Sequence, residues 1–421
     1  MIKQSTTITG LHVIFLLAAF SLLLDMLQGA LQSQGMIGLP VAQAYKGALL
    51  VAMLWLLNSS DKRFLLIVAG LALSLMLGPF VTQWQLRPAL GFSQELMLIG
   101  KLFAPLVALV AFARFTRLEP QLARQSLQRL MLCFSLVLLL NFVFGFAGLG
   151  YAAYSPMEQI ELGSLGSSGF FVSANELSAL LVILAAFLLH QCWAKNKALY
   201  LVVLLLALFC ALQLLTKTAL LGVLLLAALI PVLHQEAERR RQFALVMAAL
   251  AMVVLISSPL WLPALLTQLG LYQKLLWVWQ EKGVLGLVLS SRELYMQQNL
   301  QIVTEHFPPW HWVLGVGQAG IALYQKKYFA ESDFFDLPVF FGAIALLFAL
   351  GWFAYLLWLS WQARGIAEGR VLLLVNSLLL LLAALAGHVL TSGLLWLPWG
   401  CWCGYQLATQ TRLAAEKRSL L

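Results

Sequence analysis

An arginine at the start of a helix combines two anion-binding devices, and Ser290-Ser291-Arg292-Glu293 has that pattern at the head of SSRELYMQQNLQIVTEHF. Ser290 and Glu293 have the spacing of a capping box, in which the serine oxygen accepts the Glu293 N–H and the glutamate side chain reaches back. Arg292 then falls in the first turn, where unpaired backbone N–H groups and the helix dipole favour negative charge. A guanidinium placed there suits a phosphate or a diphosphate, because it can offer two parallel charge-assisted hydrogen bonds. A surface arginine beside an ordinary cap has the same spacing, so the surroundings of Arg292 must decide.

Those surroundings are a lipid bilayer. Of the 421 residues, 62% are hydrophobic and 10% charged, far from a soluble globular composition. Apolar runs long enough to span fall at 11–34, 38–57, 64–82, 93–115, 126–149, 169–190, 198–215, 218–234, 242–264, 334–361, 371–391 and 394–411. The expected fold is therefore all-α and polytopic, with about twelve transmembrane helices. The organisation expected is helices one to nine over 1–264, a helical outer loop over 265–333, and the last three helices with a cytoplasmic tail over 334–421.

Basic residues collect in every second loop: Lys62 and Arg63, then Arg114, Arg117, Arg124 and Arg129, then Lys195 and Lys197, then Arg239 to Arg241, then Arg364 and Arg370. With Lys3, Arg412, Lys417 and Arg418, this asymmetry places both termini in the cytoplasm and the 265–333 segment outside. The net charge of +9 is accordingly a topology signal. No soluble segment carries the basic and aromatic pattern of a nucleic-acid binder. The first apolar stretch lacks a small-residue cleavage site and reads as a retained helix. Five cysteines lie in or beside predicted helices, and Cys401-x-Cys403 without nearby histidines reads as packing.

The long outer segment begins with an amphipathic stretch carrying Trp277, Trp279, Lys274, Glu281 and Lys282, as expected of a helix lying at the interface. A second helix starts near Arg292 and stops before Pro308-Pro309, and Gly315-Val316-Gly317 turns the chain back. A second outer loop, 150–168, is rich in Gly and Ser and carries Glu158 and Glu161.

Ionisable residues inside the spans crowd the outer half: Asp25, Lys46, Lys101, Glu176 beside Asn175, Lys217, Asp333, Asp336 and His388. Such charges are costly unless paired or hydrated, so they point to function or to structural pairing. Asp25 with Lys46 reads as a salt bridge between two helices. Lys217 and Arg292 both face outward, and together the placements predict a cation-lined cavity open to the outside. Crowding on one side argues against a transporter, whose polar residues belong near the midplane on broken helices. A noncatalytic scaffold has no need of buried outer-half charges.

The segments TKTALLG (Thr216 to Gly222), SSRELY (Ser290 to Tyr295), WVLGVG (Trp312 to Gly317) and ESDFFDLPVFFGAIA (Glu331 to Ala345) resemble the O-antigen ligase and Wzy-type polymerase superfamily over roughly 165–345. The resemblance implies a periplasm-facing glycosyltransferase of the bacterial inner membrane, with an undecaprenyl-diphosphate-linked glycan as donor and Lys217 and Arg292 on its diphosphate. It also implies membrane lipid and a chain-length regulator protein as partners. The ligases carry a histidine near the acceptor hydroxyl, and aligning Ser332 and Gly342 puts Glu331 in its place. That departure, with the GFFVSANELSA and ESDFFD segments, resembles polymerases of O-antigen or exopolysaccharide repeat units. Transfer to lipid A core by a ligase, and transport of lipid-linked oligosaccharide, are the alternatives.

The chemistry so implied is displacement at an anomeric carbon, which needs neutralisation of the departing diphosphate and a base for the incoming hydroxyl. Arg292 and Lys217 supply the first without a cofactor or metal, since no Asp-x-Asp or histidine cluster is present. Glu331, Asp333, Asp336 and His388 are the candidate bases, with Glu331 first because the resemblance puts it at the ligases' histidine and desolvation at the membrane boundary is expected to raise its pKa, and Asp336 second. Glu176, Asn175, Asp333 and Lys101 are expected to line the site.

Overall fold

Backbone polar groups cannot be left to lipid, so apolar runs of this length close their own hydrogen bonds as helices. The computed structural model describes residues 2–36, 40–58, 61–87, 91–154, 163–290 and 292–419, and among them the chain is all-α with no strand. Glu158 and Glu161 lie outside the described residues, as does Ser291.

The first half comprises α1 (Ile2–Ala18), α2 (Ser21–Ser33), α3 (Val41–Asn58), α4 (Lys62–Leu86), α5 (Phe92–Leu118) and α6 (Pro120–Phe146). Then follow α7 (Ala174–Lys195), α8 (Lys197–Leu214), α9 (Lys217–Leu233) and α10 (Ala237–Gln268). Between α10 and the next long helix lie α11 (Tyr272–Leu289), α12 (Arg292–His306), α13 (His311–Leu314) and α14 (Gly317–Ala322). The chain finishes with α15 (Asp333–Gln362), α16 (Ala367–Leu385) and α17 (Trp396–Ser419). Ten candidate spans among the described residues are long and apolar enough to cross a membrane, with α1 and α2 forming one of them. The shorter apolar α9 and the terminal α17 fill the remaining two expected positions. Pro259 and Pro263 do not stop α10, which runs on to Gln268, past the boundary expected at 265.

Lipid tails are as apolar as leucine, so the helices associate by close packing and buried hydrogen bonds. α17 packs most extensively on α5, where a side chain at Gly404 would sit 2.3 Å from the Leu109 carbonyl oxygen. Cys401 and Cys403 are fully buried in the same core as Trp399 and Trp402, consistent with a packing role. α10 stands apart, with no buried side chain along its length.

Two segments depart from regular spans, and a buried carboxylate holds each. The α13–α14 turn packs against α4 and α15, and the carboxylate of Glu95 in α5 accepts the Ala319 N–H at 3.0 Å and the Gln318 side-chain amide at 3.3 Å. The predicted helix over 371–391 ends at Leu385 instead, because Asp333 takes the Val389 and Leu390 N–H groups at 2.6 and 2.8 Å. Residues 386–395 therefore fold back between α16 and α17 as turns, and His388 belongs to this segment and not to a helix end.

α15 itself is interrupted at Gly342, which adopts φ +75° and separates the Asp333 to Phe341 portion from the rest. The interruption lets α13 press against it: a side chain at Gly342 would sit 1.9 Å from the Val313 carbonyl oxygen. Gly342→Ala should therefore destabilise the protein by on the order of 3 kcal/mol. Thermal unfolding in detergent measures it against Gly351→Ala, a site in the same helix with nothing within 4 Å. Equal midpoints for the two variants would show that no close approach exists at Gly342.

Candidate functional site

Arg292 is the first residue of α12, and its side chain turns inward instead of remaining in solvent. The residue is 7% exposed. Its Nη2 donates to Glu331 Oε2 at 3.0 Å and to the Ala386 carbonyl at 3.1 Å, and its Nη1 to the Leu289 carbonyl at 3.2 Å. Nε is buried with no protein partner, so the guanidinium retains a donor. The capping box does not form as expected from the spacing. Ser290 takes a left-handed conformation, φ 57°, and closes α11, while Glu293 Oε2 is buried without a partner.

Glu331 is the acceptor at the centre of this group. Beyond Arg292, it accepts from Asn175 Nδ2 at 3.1 Å and pairs with Lys327 at 3.3 Å. Its backbone is left-handed, φ 63°, a conformation costly for a residue with a side chain and one that tends to persist at functional positions. Burial pushes the Glu331 carboxyl up, but Arg292 and then Lys327 more than offset this and hold it below its ordinary value. The expected elevation at the membrane boundary is thus not met. An anion held by two cations is a weak proton acceptor, and Glu331 is instead placed to orient Arg292.

Asp336 accepts the N–H groups of Ala330, Glu331 and Ser332 at 2.9, 2.9 and 3.2 Å, which fixes the left-handed turn that presents Glu331. Asp333 is fully buried, and beyond Val389 and Leu390 it accepts from Thr391 Oγ1 at 3.1 Å. It is an anchor, not a lining residue as expected. His388 lies between the two, Nδ1 3.6 Å from Asp333 and Nε2 3.9 Å from Asp336, with Phe329 packed edge-on against its ring. Both carboxylates are committed to backbone donors. Among the described residues no group of three or more His, Cys, Asp and Glu side chains is disposed around a metal position.

The intramembrane charges divide into two groups, not one cavity. A cavity of about 520 Å³ is lined by Asp25, Lys46, Lys101 and Glu176, together with glutamines and the aromatic side chains of Phe171 and Trp396. Asp25 and Lys46 form the expected salt bridge at 2.5 Å, and Lys46 also donates to the Gly393 carbonyl at 2.7 Å. Glu176 accepts from Ser392 Oγ at 2.5 Å. Two cations and two carboxylates thus face the space, while Arg292 and Lys217 lie outside its lining. The groups adjoin through the first turn of α7, where Glu176 faces the cavity and its neighbour Asn175 reaches Glu331.

Lys217 begins α9, directly after Thr216, whose Oγ1 caps the helix by accepting the Ala219 N–H. Its ammonium donates to the Leu287 carbonyl. Lys274 joins it, a residue that the sequence placed only on an interfacial helix. Its Nζ stands 3.1 Å over the Tyr154 ring. Burial, and then the charge of Lys217, pull the Lys274 ammonium from its ordinary 10.5 down to about 8. Arg292 in turn acts on both Lys217 and Tyr154. Lys217 thus carries the repulsion of Arg292, and Lys274 that of Lys217, beside the starts of α9 and α12, where helix dipoles add positive potential. Comparison of the chain with models of known protein families returns no match, and comparison with curated proteins returns none either.

A diphosphate bound at this cluster gains from Lys274 only while that ammonium is charged. Affinity for farnesyl diphosphate should therefore weaken as pH rises through about 8. Unfolding is not the cause: with a folded pKa below the unfolded one, the Lys274 contribution to stability increases between about 8 and 10.5. Lys274→Gln should lower affinity about tenfold at neutral pH, for one lost charge-assisted contact, and flatten the profile. An unchanged profile in that variant would remove Lys274 from the site.

Proposed function

We propose that this multi-pass membrane protein is a glycosyltransferase of the bacterial inner membrane that polymerises undecaprenyl-diphosphate-linked repeat units at the periplasmic face. The observation that carries the reading is the convergence of Lys217, Lys274 and Arg292 at two helix starts beside a polar cavity. The resemblance of TKTALLG and SSRELY to motifs of the ligase and polymerase superfamily supports it, since that resemblance assigns Lys217 and Arg292 to the diphosphate.

In this reading the three cations take the donor's diphosphate, and Glu331 keeps the Arg292 guanidinium aimed while its free Nε supplies a further donor. The acceptor glycan occupies the cavity, where glutamines, charged groups and aromatic faces suit a sugar chain. Its hydroxyl attacks the anomeric carbon of the donor. A new glycosidic C–O bond forms, the C–O bond to the diphosphate breaks with its electron pair leaving on the diphosphate, and the hydroxyl proton passes to a base. Glu176 is the carboxylate that faces the cavity without a cation fixed to it, so it replaces Glu331 as first choice, with His388 second. The positive cluster neutralises charge that grows on the leaving oxygen, the place where preorganised donors are worth most.

A second reading has one observation in its favour. The break in α15 at Gly342 resembles the interrupted helices that build transporter sites. Purified protein in vesicles, supplied with undecaprenyl-diphosphate repeat units alone, separates the readings. Lengthening chains are expected, and they should survive excess EDTA. Arg292→Ala should slow lengthening about 10- to 150-fold, for roughly 1.5–3 kcal/mol of lost charge-assisted bonding. Glu176→Gln should slow it about 10²–10⁴-fold as loss of a general base. Movement of the units across the bilayer without lengthening would favour transport, and a requirement for lipid A core would favour a ligase.

A further inference from the structure

At the opposite end of the bundle, a second cavity of about 640 Å³ opens between α9, α10, α16 and the turn that follows α15. Arg240, Arg364 and Arg370 line it, against a wall that includes Leu229, Leu373 and Leu374. None of the three guanidinium groups is within ion-pair distance of a carboxylate among the described residues. Their hydrogen-bond partners are neutral backbone carbonyls. Arg240 donates to Gln235 at 3.2 Å, Arg364 to Trp361 at 3.0 Å while lying over that indole, and Arg370 to Leu233 at 2.7 Å and to Arg364 at 2.9 Å. Arg240 Nε is buried with no partner at all.

We propose that this cavity holds the headgroup of an anionic phospholipid. Three guanidinium groups without a carboxylate partner, gathered around one space, suit an anion with several acceptor oxygens, and a phosphodiester supplies them. The leucine wall and the flank of α10, none of whose residues is fully buried, give the charged pocket an apolar side. A headgroup whose acyl chains follow that side matches both halves, whereas a free phosphate matches only the first. The distribution of Lys and Arg puts this end of the bundle in the cytoplasmic leaflet, where anionic headgroups meet basic pockets between helices. The site is remote from the Arg292 cluster and stands whether or not that cluster transfers sugars.

The test uses the full chain in phosphatidylcholine nanodiscs and in neutral detergent, with phosphatidylglycerol as the probe. Lipid retained on the protein is counted by native mass spectrometry, and the thermal midpoint is followed in parallel. Phosphatidylglycerol should be retained over phosphatidylcholine and should raise the midpoint. Arg240→Gln with Arg364→Gln should reduce retention at least about fivefold, in keeping with about 1 kcal/mol lost per charge near a lipid surface. Arg364→Gln alone, at an exposed position, provides a milder change should the double variant fold poorly. Arg239→Gln with Arg241→Gln, exposed neighbours outside the cavity, should leave retention unchanged. Equal retention of phosphatidylcholine, equal loss in the Arg239 and Arg241 variant, or wild-type retention in both cavity variants would overturn the proposal. So would stabilisation by inorganic phosphate alone at the same concentration, which would assign the pocket to a free anion.

Discussion

A non-helical backbone at membrane depth needs acceptors for its N–H groups, and a buried carboxylate needs donors. In this protein each answers the other. Asp333 is wholly enclosed, and the N–H groups of Val389 and Leu390 with the Thr391 hydroxyl satisfy it. Without it, the 386–395 segment would leave polar groups unpaired in an apolar interior, at a cost of several kcal/mol. Glu95 does the same for the start of α14, and Asp336 for the turn at Glu331. The folded-back segment held by Asp333 then touches both charged groups: its Ala386 carbonyl accepts from Arg292, its Ser392 hydroxyl donates to Glu176, and its Gly393 carbonyl accepts from Lys46.

Charges in the outer half accordingly fall into those that are spent on architecture and those that are not. Asp25 and Lys46 neutralise each other across two helices, and Asp333 and Asp336 are saturated by backbone donors. Lys217 and Lys274 have no carboxylate within ion-pair distance among the described residues, and Arg292 has one that leaves a donor free. Placing a half-buried Lys274 near Lys217 opposes folding, since burial and then the neighbouring charge pull its ammonium down to about 8. An anion bound there would relieve the repulsion, which is the physical basis of the proposed diphosphate site.

The spans were legible because twenty apolar residues in succession have one stable form in lipid, and the Asp25–Lys46 bridge because two opposite intramembrane charges need each other. Arg292 was legible as the first-turn residue of α12, although the cap that suggested it did not form around Ser290, whose left-handed backbone closes the preceding helix. What the sequence hid was long-range pairing. Nothing local says that Asp333 would unwind residues 386–391, that Glu95 would reach Gln318 and Ala319, or that Lys274 would leave the interface for the Tyr154 ring. The same blindness inverted the expected pKa shift: the desolvation of Glu331 could be foreseen, but not the two cations that reverse its effect.

The central claim is that the cations at the starts of α9 and α12 grip a lipid diphosphate. A cryo-electron-microscopy structure of the protein in nanodiscs with undecaprenyl diphosphate tests this most directly. The account predicts diphosphate density within hydrogen-bonding distance of Arg292, Lys217 and Lys274, with Glu331 still against the guanidinium. Diphosphate density elsewhere on the protein, with those three side chains unengaged, would contradict it.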